Sequence, residues 1–129
     1  QAESVQEYGC MVMVSLAHDN PDIALLIANA GGLIAILEAM SEYRNSASMQ
    51  ETCLGALGML TEDNPQNQLA LKEQGAIELV LDAMRRHPTS EGLQESGCWT
   101  LAVLGNDCPE NQTIILQESG HNAVIEARK

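Results

Sequence analysis

The chain has 129 residues, 45% of them apolar, which fits one globular domain with a packed core and argues against general disorder. It holds no Phe, one Trp and two Tyr, so Leu, Ile, Val, Ala and Met supply the core, a mixture that favours helices over sheets. A net charge of −12, with six Lys and Arg against eighteen Asp and Glu, argues against nucleic acid and anionic membrane as partners.

The first apolar periodicity predicts a helix over residues 3–18. Asn20-Pro21 then opens a short helix, because proline's fixed φ and missing N–H suit a first turn and Asn20 can cap it. Gly31-Gly32 ends that helix through a left-handed cap. A second helix is expected over residues 33–43, where Ile34, Leu37 and Met40 recur at helical spacing. After a polar connection at 44–48, a third and longer helix carries Met49, Cys53, Leu57 and Leu60. Asn64-Pro65 restarts the series with a short helix to Gly75. The next helix, over residues 77–86, carries Ile77, Leu81 and Met84 and is stopped by His87-Pro88. Past a connection at 88–92, another long helix carries Leu93, Gly97, Leu101 and Leu104. Cys108-Pro109 opens a final short helix with a poorer cap, and Gly120 is expected to end it one residue late.

These elements recur at one offset. Pro21, Pro65 and Pro109 stand 44 residues apart, and the same shift aligns Gln6-Glu7, Gln50-Glu51 and Gln94-Glu95, then Leu16, Leu60 and Leu104. It also pairs Gly31 with Gly75, Leu37 with Leu81, Ala39 with Ala83 and Met40 with Met84. A period of this length excludes ankyrin and tetratricopeptide repeats and falls in the ~40 to 47 range of armadillo and HEAT units. One short and two longer helices per unit, with the phrases Gln94-Glu95-Ser96-Gly97-Cys98-Trp99-Thr100-Leu101-Ala102-Val103-Leu104, Asn64-Pro65-Gln66-Asn67 and Gly75-Ala76-Ile77, resemble the armadillo repeat. The resemblance spans nearly the whole chain. It implies an all-α fold, a right-handed α-solenoid of armadillo-type three-helix repeats. The expected organisation is a partial unit at 1–20, repeats at 21–64 and 65–108, and a partial unit at 109–129. Natural arrays carry polar capping repeats, and neither end has one, so a segment of a longer array is expected, with self-association through uncapped ends.

In armadillo proteins the third helices line a concave groove that takes extended peptides. The family's pattern is a Trp followed four residues later by an Asn that grips the ligand backbone. Superposing the helix-ending leucines puts Met11, Gly55 and Trp99 at the Trp place and Ser15, Met59 and Val103 at the Asn place, so only Trp99 fits and the Asn ladder is missing. Trp99 is either a groove contact or an inter-repeat packing residue. One turn earlier stand Glu7, Glu51 and Glu95, either an acidic row along the groove or soluble first turns that complement the helix dipole. Arg85, Arg86 and His87 close a second helix, where cations suit the dipole or meet an acidic partner.

Catalytic signals are thin. His18, His87 and His121 occupy unrelated places, no His or Cys pair has metal-ligand spacing, and no glycine-rich phosphate loop is present. Cys10 and Cys98 share the core position of Leu54 and are expected as buried apolar fillers, whereas Cys108 lies at a helix start that would stabilise a thiolate. The best candidate for a membrane span, 23–30, falls short of the ~20 residues that a membrane helix needs. Reduced thiols and the lack of a leader suggest the cytoplasm, with the nucleus also open. The expectation is a protein-interaction scaffold, not an enzyme and without cofactors, that binds a basic or donor-rich protein segment on its concave face. The alternative is a structural solenoid that positions other domains of a larger protein.

Overall fold

Helices of nine to twenty residues with an apolar stripe gain little alone, so each must bury that stripe on a neighbour. The computed structural model describes the backbone of residues 2–128 and the side chains of residues 3–118. In chain order the helices are α1 (Ala2–Ala17), α2 (Pro21–Asn29), α3 (Gly32–Glu42), α4 (Ala47–Thr61), α5 (Pro65–Glu73), α6 (Ala76–Arg86), α7 (Glu91–Gly105) and α8 (Pro109–Arg128). The repeat turns this list into layers. Third helices α1, α4 and α7 stack side by side, second helices α3 and α6 lie against them, and the short helices α2 and α5 cross at one end. The chain is thus an all-helical solenoid of armadillo-type repeats.

The core lies between the second and third helices. Ile36 and Met40 of α3, Met49, Leu54, Leu57 and Leu60 of α4, Ile77 and Val80 of α6, and Leu93 and Leu104 of α7 are fully buried there. Helix α4 is enclosed by α1 on one flank, α7 on the other and α3 beneath.

Local chemistry sets each corner. Asn20 Oδ1 accepts from the Ile23 N–H at 3.2 Å and Asn64 Oδ1 from the Asn67 N–H at 3.3 Å, each beside the expected first-turn proline. Gly31 and Gly75 take positive φ, 94° and 74°, between the first and second helices, where a Cβ would be strained. The third helices end on a device absent from the sequence-based expectations. Asp19, Asp63 and Asp107 all adopt left-handed φ of 52–54°, a conformation aspartate tolerates better than most residues. Glutamine closes the second helices: Gln50 Nε2 donates to the Met40 and Tyr43 carbonyls at 3.0 and 2.8 Å, and Gln94 repeats this on Met84 and His87 at 2.8 and 3.0 Å. Two orphan carbonyls at each helix end are thereby satisfied from the next helix.

Two expectations are corrected. Helix α8 runs through Gly120 to Arg128 without a break. The place of Gly31 and Gly75 falls on Ser119, which does not enter the left-handed region as readily as glycine, so the helix passes the position where its predecessors turn. Cys98 is exposed, unlike its counterparts Leu54 and Cys10, because no further third helix packs on that flank of α7 among the described residues.

Leu57 sits at the centre of the stack with no exposed surface. Leu57→Ala should therefore lower unfolding free energy by ~2–5 kcal/mol, read as a shifted urea midpoint with an unchanged slope. A loss below ~0.5 kcal/mol would put this side chain on the surface.

Candidate functional site

Stacking consumes both flanks and the underside of α4 and leaves its outer strip to solvent, whereas α1 and α7 are each covered by a third helix on one flank only among the described residues. On α4 that strip is Glu51, Gly55 and Met59; on α1 it includes Glu7, Met11 and Ser15; on α7 it includes Glu95 and Trp99. Eight of the nine residues expected to bind a partner thus share one continuous face. Val103 does not: it is only 8% exposed, and its carbonyl accepts from Gln68 Nε2 at 2.7 Å, so it forms floor and not contact surface.

The residues on this face have different surroundings. Glu7 is half-buried because the hydroxyls of Ser48 and Thr52 on α4 donate to its Oε2 at 2.6 and 3.4 Å. The Glu51 carboxylate lies over Gly92 of α7, where a built Cβ would stand 2.6 Å from Oε1. Glu51 and Glu95 remain exposed. Glu7 and Glu51 therefore each point toward the start of the next third helix, along the stacking direction. Gly55 has no atom within 4 Å of its Cβ direction and leaves an opening between Glu51 and Met59. Met11 is 48% exposed. The Trp99 ring packs flat enough on α4 that a Cβ at Gly58 would sit 2.2 Å from its Cζ3, yet the residue stays 37% exposed.

Sequence reasoning missed the far edge of the face. A cleft of about 300 Å³ beside Trp99 is bounded by Glu62, Asp63, Ala102, Val103 and Asn106. Its neighbour, about 230 Å³, lies one repeat back against Asp19, Asn20, Met59, Glu62 and Asp63. The left-handed aspartate turns thus add carboxylates at the C-terminal ends of the third helices, opposite the Glu7–Glu51–Glu95 edge. The available signal was the 44-residue recurrence of Asp19, Asp63 and Asp107.

Other candidate groups lie elsewhere. Arg86 pairs with Asp82 at 2.9 Å one turn back, and His87 Nε2 donates to the Arg44 carbonyl at 2.8 Å, tying two successive connections together. Cys10 and Cys53 face one another across the α1–α4 contact, and that hydrogen bond together with burial pushes the Cys53 thiol well above its ordinary range. It is therefore a protonated core group. An apolar cleft of about 420 Å³ lies at the end of the stack between α1 and α3, lined by Gly9, Cys10, Met13, Ala35 and Ile36 among others. Among the described residues, no group of three or more His, Cys, Asp or Glu side chains is gathered for a metal ion, and no single helix is long and apolar enough to cross a membrane.

Trp99 is the sole tryptophan, so its packing on Gly58 can be followed by fluorescence. Gly58→Ala should shift its emission to the red and lower stability by ~1–3 kcal/mol through overpacking. In a Trp99→Ala background the same change should instead stabilise by ~0.5–1 kcal/mol, the ordinary gain of alanine over glycine within a helix. Equal effects in both backgrounds would separate the two residues.

No curated protein and no solved structure gives a significant match to the chain. A family match covers residues 35–129, which takes in most of α3 and all of α4 to α8, and so both the glycine corner at Gly75 and the Trp99 face. On the period, the helix order and this match together, the chain belongs to the LRRK2 ARM repeat family.

Proposed function

We propose that this repeat segment is a protein-interaction scaffold whose row of third helices binds an extended, basic, donor-rich segment of a partner protein. The observation that supports this most is the layout of the exposed strip. Met11, Met59 and Trp99 lie between one edge of Glu7, Glu51 and Glu95 and another of Asp19, Glu62 and Asp63. Exposed methionine and tryptophan offer adaptable apolar contact, and tryptophan is a frequent binding hot spot. Flanking carboxylates attract cationic side chains and repel acidic ones, which sets the sign of the partner.

Departures from the family's peptide-binding pattern shape the expected mode. Ser15, Met59 and Val103 stand where a backbone-gripping Asn is usual, and Val103 is buried. Main-chain clamping is therefore weak, and selectivity rests on side chains that reach the apolar strip and its acidic edges. Chemistry on the bound segment forms no part of the proposal. A solenoid that only positions other domains would carry the same fold without needing the strip exposed.

Partners captured from cell extract on the wild-type chain should be lost on a chain carrying Glu51→Lys and Glu95→Lys, with helical content unchanged. A labelled lysine- and arginine-rich peptide should lose about tenfold or more in affinity to the reversed chain and bind more weakly as salt is raised. Trp99→Ala should weaken binding without altering the salt dependence. Partners and peptide that bind the reversed chain equally well, and in high salt, would move the interaction off this face.

A further inference from the structure

The acidic edges of the exposed strip repeat along the stack, so on their own they hold a basic segment equally well in successive registers, one repeat apart. One place on the strip does not repeat. Trp99 stands where the preceding units have Gly55 and Met11, and it forms a wall of the cleft of about 300 Å³ at the far edge. We propose that this cleft takes a single arginine side chain of the partner segment, its guanidinium stacked on Trp99 and held by Glu62 and Asp63, and that this anchor sets the register of the whole segment. Both walls lie inside the chain: Glu62 and Asp63 follow α4, and Trp99, Ala102, Val103 and Asn106 belong to the end of α7. The packing of α7 on α4 makes the cleft, so it belongs to the joint between two consecutive units.

The charged and polar groups around the cleft favour a cation. Glu62 and Asp63 are exposed carboxylates, and no Lys or Arg lines the cleft among the described residues. Helices α4 and α7, each of fifteen residues, both end there, and neither has a basic residue in its last turn to offset the negative end of its dipole. Helix α6, by contrast, ends on Arg85 and Arg86. At the end of α4 the Glu62 N–H returns to the Gly58 carbonyl at 3.0 Å, whereas at the end of α7 the Asn106 N–H goes to the Val103 carbonyl at 3.3 Å. The carbonyl of Ala102, a residue of the cleft wall, therefore lacks the bond that Gly58 receives at the same place.

Acceptors beside an aromatic wall select guanidinium over ammonium. A guanidinium is planar, so it lies on the indole while its five N–H donors, spread in a fixed fork, reach carboxylates and a carbonyl at once. An ammonium is a compact, strongly hydrated charge and gains less from the ring. The indole is positioned for this role by Gly58, on which one side of it rests, with 37% of the residue still exposed. The cleft one repeat back has Asp19, Glu62 and Asp63 but no ring, because Gly55 occupies the Trp99 place. That cleft attracts a cation without selecting its shape, so the arginine has one seat on the strip.

The anchor rests on the peptide-binding reading above, and the measurements that test it keep the two apart. Three short extended peptides of lysine and serine differ at one central residue, which is arginine, lysine or citrulline, the last with the shape of arginine and no charge. Binding is followed by peptide anisotropy and by the emission of Trp99, the sole tryptophan. The arginine peptide should bind about fivefold or more tighter than the lysine peptide, and about tenfold or more tighter than the citrulline peptide. A nitroxide beside the central residue should quench Trp99 strongly in the arginine peptide and weakly in the lysine peptide, whose registers are spread. Glu62→Gln with Asp63→Asn preserves the turn, since asparagine also tolerates the left-handed φ of Asp63, and should bring the arginine and lysine peptides within about twofold of each other. Trp99→Leu should do the same, read by anisotropy. Arginine and lysine peptides that bind the wild-type chain equally, an arginine preference that survives in these variants, or quenching that ignores the central residue would overturn the anchor and leave the scaffold reading standing. Peptides that do not bind at all would overturn both.

Discussion

Helix α4 has almost no surface of its own. Helix α1 covers one flank, α7 the other and α3 the underside, and what remains, beyond Ser48 and Thr52 at the α1 edge, is a narrow strip of Glu51, Gly55 and Met59. This side-by-side packing of third helices decides the rest of the structure. It requires a fixed period, because a unit of different length would rotate or slide the next third helix and uncover Leu54 or Leu57. It requires the corners to be stiff, which the left-handed Gly31 and Gly75 and the left-handed Asp19, Asp63 and Asp107 supply. It also requires buried polar ends to be satisfied across element boundaries. Gln50 and Gln94 do this for the second helices, and Asn67 Nδ2 does it for the Leu60 carbonyl at 2.7 Å.

The surface chemistry follows from that geometry. Stacked helices in register place equivalent residues side by side, so a glutamate repeated in sequence becomes a row in space, and an aspartate repeated at each turn becomes a second row. Between them the chain leaves methionine and tryptophan where charged side chains would have served solubility better.

Much of this was legible from the sequence because a repeat states its own alignment. Pro21, Pro65 and Pro109 marked the helix starts, glycines marked the corners, and the apolar positions of α3, α4, α6 and α7 gave the phase that buries Met40, Leu57 and Leu104. Period and phase are local properties, written in residues a few positions apart, so composition and spacing were enough to name the fold class and to place Glu51, Met59 and Trp99 on one side of their helices.

Tertiary structure decided what depends on the neighbour that actually arrives. Val103 and Met59 hold equivalent places, yet Val103 is buried while Met59 keeps part of its surface exposed. Cys98 shares a register with Leu54 but lacks its covering helix and is exposed. Trp99 could not be assigned from its own position, because the space for its ring is made by Gly58, 41 residues earlier on another helix. Gln50 stands beside Glu51 in the first turn of α4, and only the approach of α3 turned its amide into a cap for two distant carbonyls. Periodicity fixes which way a side chain faces; whether that direction holds solvent, a ring or a carbonyl is settled only when the next helix packs.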